Sequence, residues 1–467
     1  MKETHRDAPV FPQRPDSRIE KTRRLLQRIG IGLFTVLMLT VVILFCQKLK
    51  RDLQPAGSET LRKRETASST QLTTAGPETD ATQTEPADSE TETATPAESS
   101  EAVEAPAAPP RFPALEAQLR QLRAVLLYPT GQRFPDEKVS LLALGDNLMH
   151  STVVSCGLQP DGSYDFREMY RYIREEVRHT DLACINQETI FIDDPAQYSN
   201  YPIFGGPTAV GEALADTGFD VITHATNHCY DKFFTGISDT LRFWRNYPQV
   251  TTLGIHDSAE DAARIRVVEV KGIRVALLNY TYGTNMGTPA EPYMIDFLDR
   301  DKVEADLKQA RELADLVLVF PHWGTEGSFV PDDFQREWAR FLVDHGADAI
   351  IGGHPHTLQP LELFEGPLGN QVPVFWSTGN FISHMRQPEN QLGGMARLTL
   401  CRDRFGCYVA DPELIPTMTY GTEDFGQWQF YGMPLEDYTD EMAAHHWVPN
   451  TSVEEMWDLY HRIVDED

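Results

Sequence analysis

Six short apolar runs in this sequence each lead directly into side chains that bind metal ions or carry protons. The run at 139–144 enters Gly145-Asp146-Asn147, and the run at 182–185 enters Asn186-Gln187-Glu188. The run at 219–222 enters Thr223-His224-Ala225-Thr226-Asn227-His228, with Asp231 three residues on. The run at 316–320 enters Pro321-His322-Trp323-Gly324-Thr325-Glu326. The run at 349–351 enters Gly352-Gly353-His354-Pro355-His356, and that at 374–376 enters Ser377-Thr378-Gly379-Asn380-Phe381. Imidazole and carboxylate donors suit Mn, Zn or Fe, and a His beside a carboxylate suits general acid–base chemistry. Singly these clusters say little, since Gly-Asp after a strand reads as a turn and Asn186-x-Glu188 as a helix cap. His354-Pro355-His356 says more: alternate residues of an extended segment point the same way, and the glycines before it allow close backbone approach.

The elements that must position these groups follow from the alternation of apolar runs with helical patterns at 166–178, 237–245, 302–313 and 333–345. That alternation predicts an α/β domain. In α/β sheets functional groups gather outside the carboxyl ends of the strands, so six such ends rich in Asp, Glu, Asn and His read jointly as one site. The segments 398–401 and 407–409 flank Arg402 to Gly406 as a hairpin, in which Cys401 and Cys407 form either a cross-strand disulfide or two ordinary thiols. Two further segments, 441–444 and 453–464, read as helical and carry no evident chemistry.

Taken in order, Gly145-Asp146, Asn186-x-Glu188, Asn227-His228-x-x-Asp231, His322-Trp323-Gly324-x-Glu326, Gly353-His354-Pro355-His356 and Ser377-x-Gly379-Asn380-Phe381 resemble the CapA family of capsule or poly-γ-glutamate synthesis proteins, also called PgsA. The resemblance covers roughly residues 139–412. That family is similar in fold to the calcineurin-like metallophosphoesterases, which implies a β-sandwich flanked by helices. By the same resemblance Asp146 binds one metal, Glu188 bridges two, Asn227, His322 and His354 hold the second, and His356 returns to the first. One or two divalent ions (Mn, Zn or Fe) are implied. His228 is implied as the proton donor to a leaving group, with Asp231 or Glu326 orienting it. Three positions depart from the pattern: Leu148 stands where phosphoesterases of this fold carry a metal-binding His, Thr226 precedes Asn227-His228 in place of Asn, and Gly327 follows the Glu in place of Tyr. The first metal site is thereby one ligand short unless His150 or a water makes up for Leu148, which leaves a single-metal or substrate-binding site as the alternative.

The resemblance implies a role in synthesis, export or attachment of an anionic surface polymer, through a metal-dependent hydrolase or transferase acting on an amide or phosphoester. A non-catalytic polymer-binding partner of a synthase complex, and a general cell-surface metallophosphoesterase, are the alternatives. The 467 residues include 41 Lys+Arg against 70 Asp+Glu, a formal net charge of −29, which excludes a nucleic-acid partner for want of a basic face. It also repels an acidic polymer at long range, so binding one needs divalent cations or a local basic groove. The six Cys include no C-x-x-C pair, which excludes zinc-finger and thioredoxin-type chemistry.

Along the chain the expected plan is a short cytoplasmic N-terminus at 1–28, a transmembrane helix at 29–46, a disordered Ser/Thr/Pro/Glu-rich linker at 47–110, a docking helix within 111–138, a CapA-like domain at 139–432 and a helical tail at 433–467. The uncharged run at 29–46 spans about 27 Å as a helix, close to a bilayer core of about 30 Å. Basic residues follow it where a cleaved signal peptide would show small ones. Flanking Lys and Arg balance across the span, so the domain is placed outside the cytoplasm because long domains translocate largely regardless of charge. The linker cannot bury enough apolar surface to offset its ordering entropy. The expected location is the cell membrane, single-pass, with the polymer and polymer synthase or export subunits as partners.

Overall fold

Along β1 (Glu137–Asn147) nearly every residue is buried, yet alternate side chains serve different cores. Val139, Leu141 and Ala143 face one cluster, while Leu142 and Leu144 face another. This is the two-residue period of a strand with both faces covered, and it explains why the sequence shows continuous apolar runs here instead of an apolar/polar alternation. The computed structural model describes residues 135–367 and 369–465. The expected membrane helix at 29–46, the linker at 47–110 and the docking helix before residue 135 lie outside the described residues. Among the described residues no helix is long and apolar enough to cross a membrane.

Two sheets result. The first has the order β14-β13-β12-β1-β2-β3-β4, with β11 (Asn380–Ile382) also on β1. Its β2 (Leu182–Gln187), β3 (Val221–Thr223) and β4 (Thr251–Leu253) continue β1 in parallel. On the other side β12 (Leu392–Asp403), β13 (Gly406–Asp424) and β14 (Gln427–Pro434) run antiparallel. The second sheet has the order β5-β6-β7-β8-β10-β9. In it β6 (Ile273–Thr281), β7 (Leu316–His322), β8 (Ala349–Ile351) and β10 (Gln371–Thr378) are parallel. The edges β5 (Arg266–Val270) and β9 (Leu358–Glu365) are antiparallel.

Between the sheets Val139, Leu141 and Cys184 meet Val275, Leu277 and Leu318. Each such side chain, fully buried, contributes about 1.5–3 kcal/mol. Helices α1 (Ala209–Thr217) and α2 (Phe233–Trp244) cover the outer face of the first sheet through Val210, Leu214, Phe243 and Trp244. Helices α3 (Arg300–Leu313) and α4 (Asp333–Asp344) cover the second through Val303, Leu307, Trp338 and Leu342. The mixed α/β architecture of sheets flanked by helices is as expected.

Two local expectations change. The helix expected at 166–178 is a 3-10 turn, Arg167–Tyr170, followed by the short helix Arg174–His179. The Arg174 guanidinium takes the Arg167 carbonyl at 2.6 Å, the carbonyl a continuous helix would give to a backbone N–H. The expected boundary at 432/433 is not a boundary in packing either: β14 runs to Pro434, and α5 (Val453–Asp465) inserts Met456, Leu459 and Ile463 into the core between the sheets. The hairpin is longer than expected, with Cys401 opposite Tyr408 and Cys407 opposite Arg402.

Candidate metal centre

Asp146 stands at a bulge near the end of β1, opposite Asn380 of β11. Its fully buried carboxylate accepts the Asn186 side-chain N–H at 2.7 Å through Oδ1 and the His354 backbone N–H at 3.2 Å through Oδ2. His356 Nδ1 lies 3.2 Å from the same Oδ2. The loop after β8 comes this close because residue 353 is glycine: a Cβ there would stand 2.7 Å from Asp146 Oδ1. The convergence of His354 and His356 does not come from the extended segment that the sequence led us to expect. Both residues adopt left-handed backbone, with φ of 100° and 57°, on either side of Pro355. Such conformations cost of order 1–3 kcal/mol each and cluster at functional sites.

Glu188, just past β2, is buried. His356 Nε2 lies 3.6 Å and His322 Nε2 3.8 Å from its Oε1. His322, the last residue of β7, also has Nε2 at 2.9 Å from Asn227 Oδ1 and its ring centroid 4.8 Å from that of His354. Donor atoms of Asp146, Glu188 and His356 lie within 4.8 Å of one another, and so do those of Glu326, His354 and His356. The six expected ligands therefore assemble at one place, at the carboxyl ends of strands from both sheets.

Their electrostatics fit a divalent cation. Both Glu188 carboxylate oxygens and His354 Nδ1 are buried without a hydrogen-bond partner, which is costly unless something unseen satisfies them. Burial, opposed by His356 and reinforced by the charges of Asp146, Glu326 and Asp231, holds the Glu188 carboxyl well above the usual carboxylate range. Burial and the nearby His356 push His354 down to about 3, and burial with the nearby His354 holds His322 well below the usual range. Both are thus neutral imidazoles, the form that binds metal. Burial also opposes charge on His356, but Glu188 and Asp146 outweigh it and raise it to about 10. Among the described residues, two buried carboxyl groups thus stand with one imidazolium, neutral nitrogen donors and an amide oxygen.

The expected proton donor sits at the edge of this cluster. His228 Nδ1 is in hydrogen-bond contact with Asp231, and the Phe204 ring stands edge-on at 4.7 Å. Of the two carboxylates expected to orient His228, Asp231 is the one in contact; Glu326 faces His354 and His356. Thr226, a departure from the family pattern, ties the turn together: its hydroxyl donates to the Glu188 carbonyl at 2.8 Å and accepts the His228 N–H at 3.2 Å. His224, from the same run, is a core histidine that accepts Trp244 Nε1–H at 2.9 Å. His150 is in neither donor group; its Nδ1 accepts the His384 backbone N–H at 3.2 Å.

Two neighbours escaped the sequence reading. Past β6, Tyr282 lays its ring 4.6 Å from that of His354, and its N–H donates to the His322 carbonyl. Burial, with Glu326 and Glu188 adding to it, pushes its phenol up to about 12. Asn285 donates its backbone N–H to the Asn227 carbonyl and holds its side-chain amide 3.3–3.4 Å from the two His228 ring nitrogens. The signal was a seventh apolar run ending in a polar turn, Thr281-Tyr282-Gly283-Thr284-Asn285, but that turn carries no His, Asp or Glu.

Comparison with known proteins gives the following likenesses. The chain is similar to the "PGA biosynthesis protein CapA" of Bacillus subtilis (strain 168), 34% identical over 174 residues, which are 37% of this chain and 44% of that protein. It is similar to the "Capsule biosynthesis protein CapA" of Bacillus anthracis, 28% identical over 259 residues, covering 53% of this chain and 60% of that one. The chain thus spans less than two thirds of either relative. Among solved structures it is similar to the calcineurin-like phosphoesterase YfkN from Bacillus subtilis, 12% identical with a TM-score of 0.32, over 70% of this chain and 97% of that chain. The profile of the bacterial capsule synthesis protein PGA_cap family matches residues 140–385, more than half of the chain and every strand end that carries the centre, and the protein belongs to that family.

Proposed function

We propose that the protein is anchored in the cell membrane through residues 29–46, with its folded domain outside the cytoplasm. There it takes part in synthesis, export or attachment of an anionic polymer of the poly-γ-glutamate type, as a metal-dependent hydrolase or transferase acting on an amide or phosphoester. The observation that carries this reading is Glu188: a buried carboxyl with both oxygens unpartnered, beside the rings of His322 and His356. Asp146, Glu188, Asn227, His322, His354 and His356 would hold the ion or ions. A divalent ion at such a site supplies a Lewis acid that polarises the scissile group and activates water.

The chain's own residues do the rest. Asp231 accepts a hydrogen bond from His228 Nδ1–H, which fixes the ring and leaves Nε2 as the nitrogen that gives a proton to the leaving group. Asn285 presses against that ring, and Tyr282 walls the His354 side. The centre also answers the charge problem: a protein of net charge −29 attracts an acidic polymer only where cations offset its own field.

Elemental analysis of the purified full-length protein, beside His354→Ala, tests the reading. One or two divalent ions per chain are expected in the wild type and fewer in the variant, with polymer production lost in parallel. Wild-type protein without tightly bound metal that still supports polymer production would overturn the catalytic reading in favour of a polymer-binding partner of the synthase.

A further inference from the structure

Glu326 lies in the turn between β7 and α4, and two hydrogen bonds fasten that turn to the histidine turn after β8. Gly327 N–H donates to the Pro355 carbonyl at 2.8 Å, and the Thr357 hydroxyl donates to the Ser328 carbonyl at 2.7 Å. The residue between these ties and β7 is thereby held over His354 and His356, and its carboxylate comes within 4.8 Å of a ring nitrogen of each. Glu326 is exposed, and no hydrogen bond or ion pair holds it among the described residues. On the same ring, His354 Nδ1 is buried without a hydrogen-bond partner, although His354 is only 3% exposed. An exposed carboxylate alone signifies nothing. One held by its own backbone within 4.8 Å of ring nitrogens of two buried histidines has two further donors to share a ligand with.

We propose that Glu326 is a ligand of the divalent ion held by His354 and His356, contributed from the solvent side of the centre. This rests on the metal reading given above and extends it. The buried donors Asp146 and Glu188 approach from strand ends inside the sandwich, whereas Glu326 comes from an exposed turn. It is therefore the donor that a substrate group entering from solvent meets first. A carboxylate on an exposed turn can give up its coordination position to an incoming anionic substrate oxygen without unfolding anything, because its backbone ties do not involve its side chain.

The test uses the full-length protein in detergent, stripped of metal and titrated with Mn²⁺, with the loss of free-ion paramagnetic resonance signal as readout. Glu326→Gln should keep the melting temperature of the metal-free protein and bind at least one Mn²⁺ about 10- to 100-fold more weakly. The deficit should persist at 1 M salt, where the Debye length is about 3 Å. A deficit that vanishes at 1 M salt would show only long-range attraction and overturn ligation. Wild-type affinity in Glu326→Gln alongside lost affinity in His354→Ala would overturn the inference and leave the metal centre standing. If the wild type itself takes up no Mn²⁺, the metal reading falls and the inference with it.

Discussion

His228 Nδ1 lies 2.7 Å from Asp231 Oδ2, and that same oxygen accepts the Phe204 backbone N–H at 2.7 Å. The carboxylate is thus fixed from behind while it fixes the imidazole in front, and the ring cannot swing without breaking its contact with Asp231. His228→Ala should leave metal bound and the melting temperature little changed, and should lower the rate by about 10²- to 10⁴-fold, the usual contribution of one general acid. Polymer production at matched levels of folded protein is the measurement. Full production by well-folded His228→Ala protein rules out the acid role.

Gly353→Ala separates fold from site. The added Cβ would meet Asp146 Oδ1 at 2.7 Å, so the carboxylate or the histidine turn has to move. Overpacking of this kind costs about 1–3 kcal/mol, which a domain of this size survives. Bound metal per chain should fall while cooperative unfolding remains. Undiminished metal content would mean that Asp146 is not a ligand.

Away from the centre, His256 sits between Asp261 and Asp296 at 3.1 and 2.8 Å. Burial alone would lower its pKa, but hydrogen bonds and charge from the two carboxylates outweigh it and raise it to about 9. A folded-state pKa above the unfolded value of about 6.5 means stability fully present below pH 6.5 and lost as pH rises through about 9. The melting temperature of His256→Gln should therefore fall short of wild type by more at pH 6 than at pH 10. Equal gaps at both pH values would show that the imidazole is neutral throughout.

Topology is open to direct attack. Protease added to intact protoplasts should remove the domain if the uncharged run at 29–46 is the proposed anchor, since long domains translocate largely regardless of flanking charge. Complete protection would place the domain inside.

What was legible in the sequence was local. Asp146, Glu188, His322 and His354 stood out because a strand buried on both faces writes itself as an unbroken apolar run, and the first ligand-type residue after such a run marks its carboxyl end. Family membership followed from the same residues in order. Asn285 and Tyr282 were not legible, since an amide and a phenol after a strand look like any turn until His228 and His354 are found beside them.

The sequence by itself determined which donors exist and that they close successive strands, because ligand chemistry is a property of residue type and periodicity a property of neighbours. Only the tertiary structure decided which donors come within reach of one another. The His354 N–H reaches Asp146 across 208 positions of sequence, through the register of parallel strands in two different sheets. Only the tertiary structure separated Asp231, which holds His228, from Glu326, which faces His354 and His356. The reason is geometric: a carboxylate three residues away in a turn and one nearly a hundred residues away offer the same chemistry, and only the packing of the two sheets fixes the distances that tell them apart.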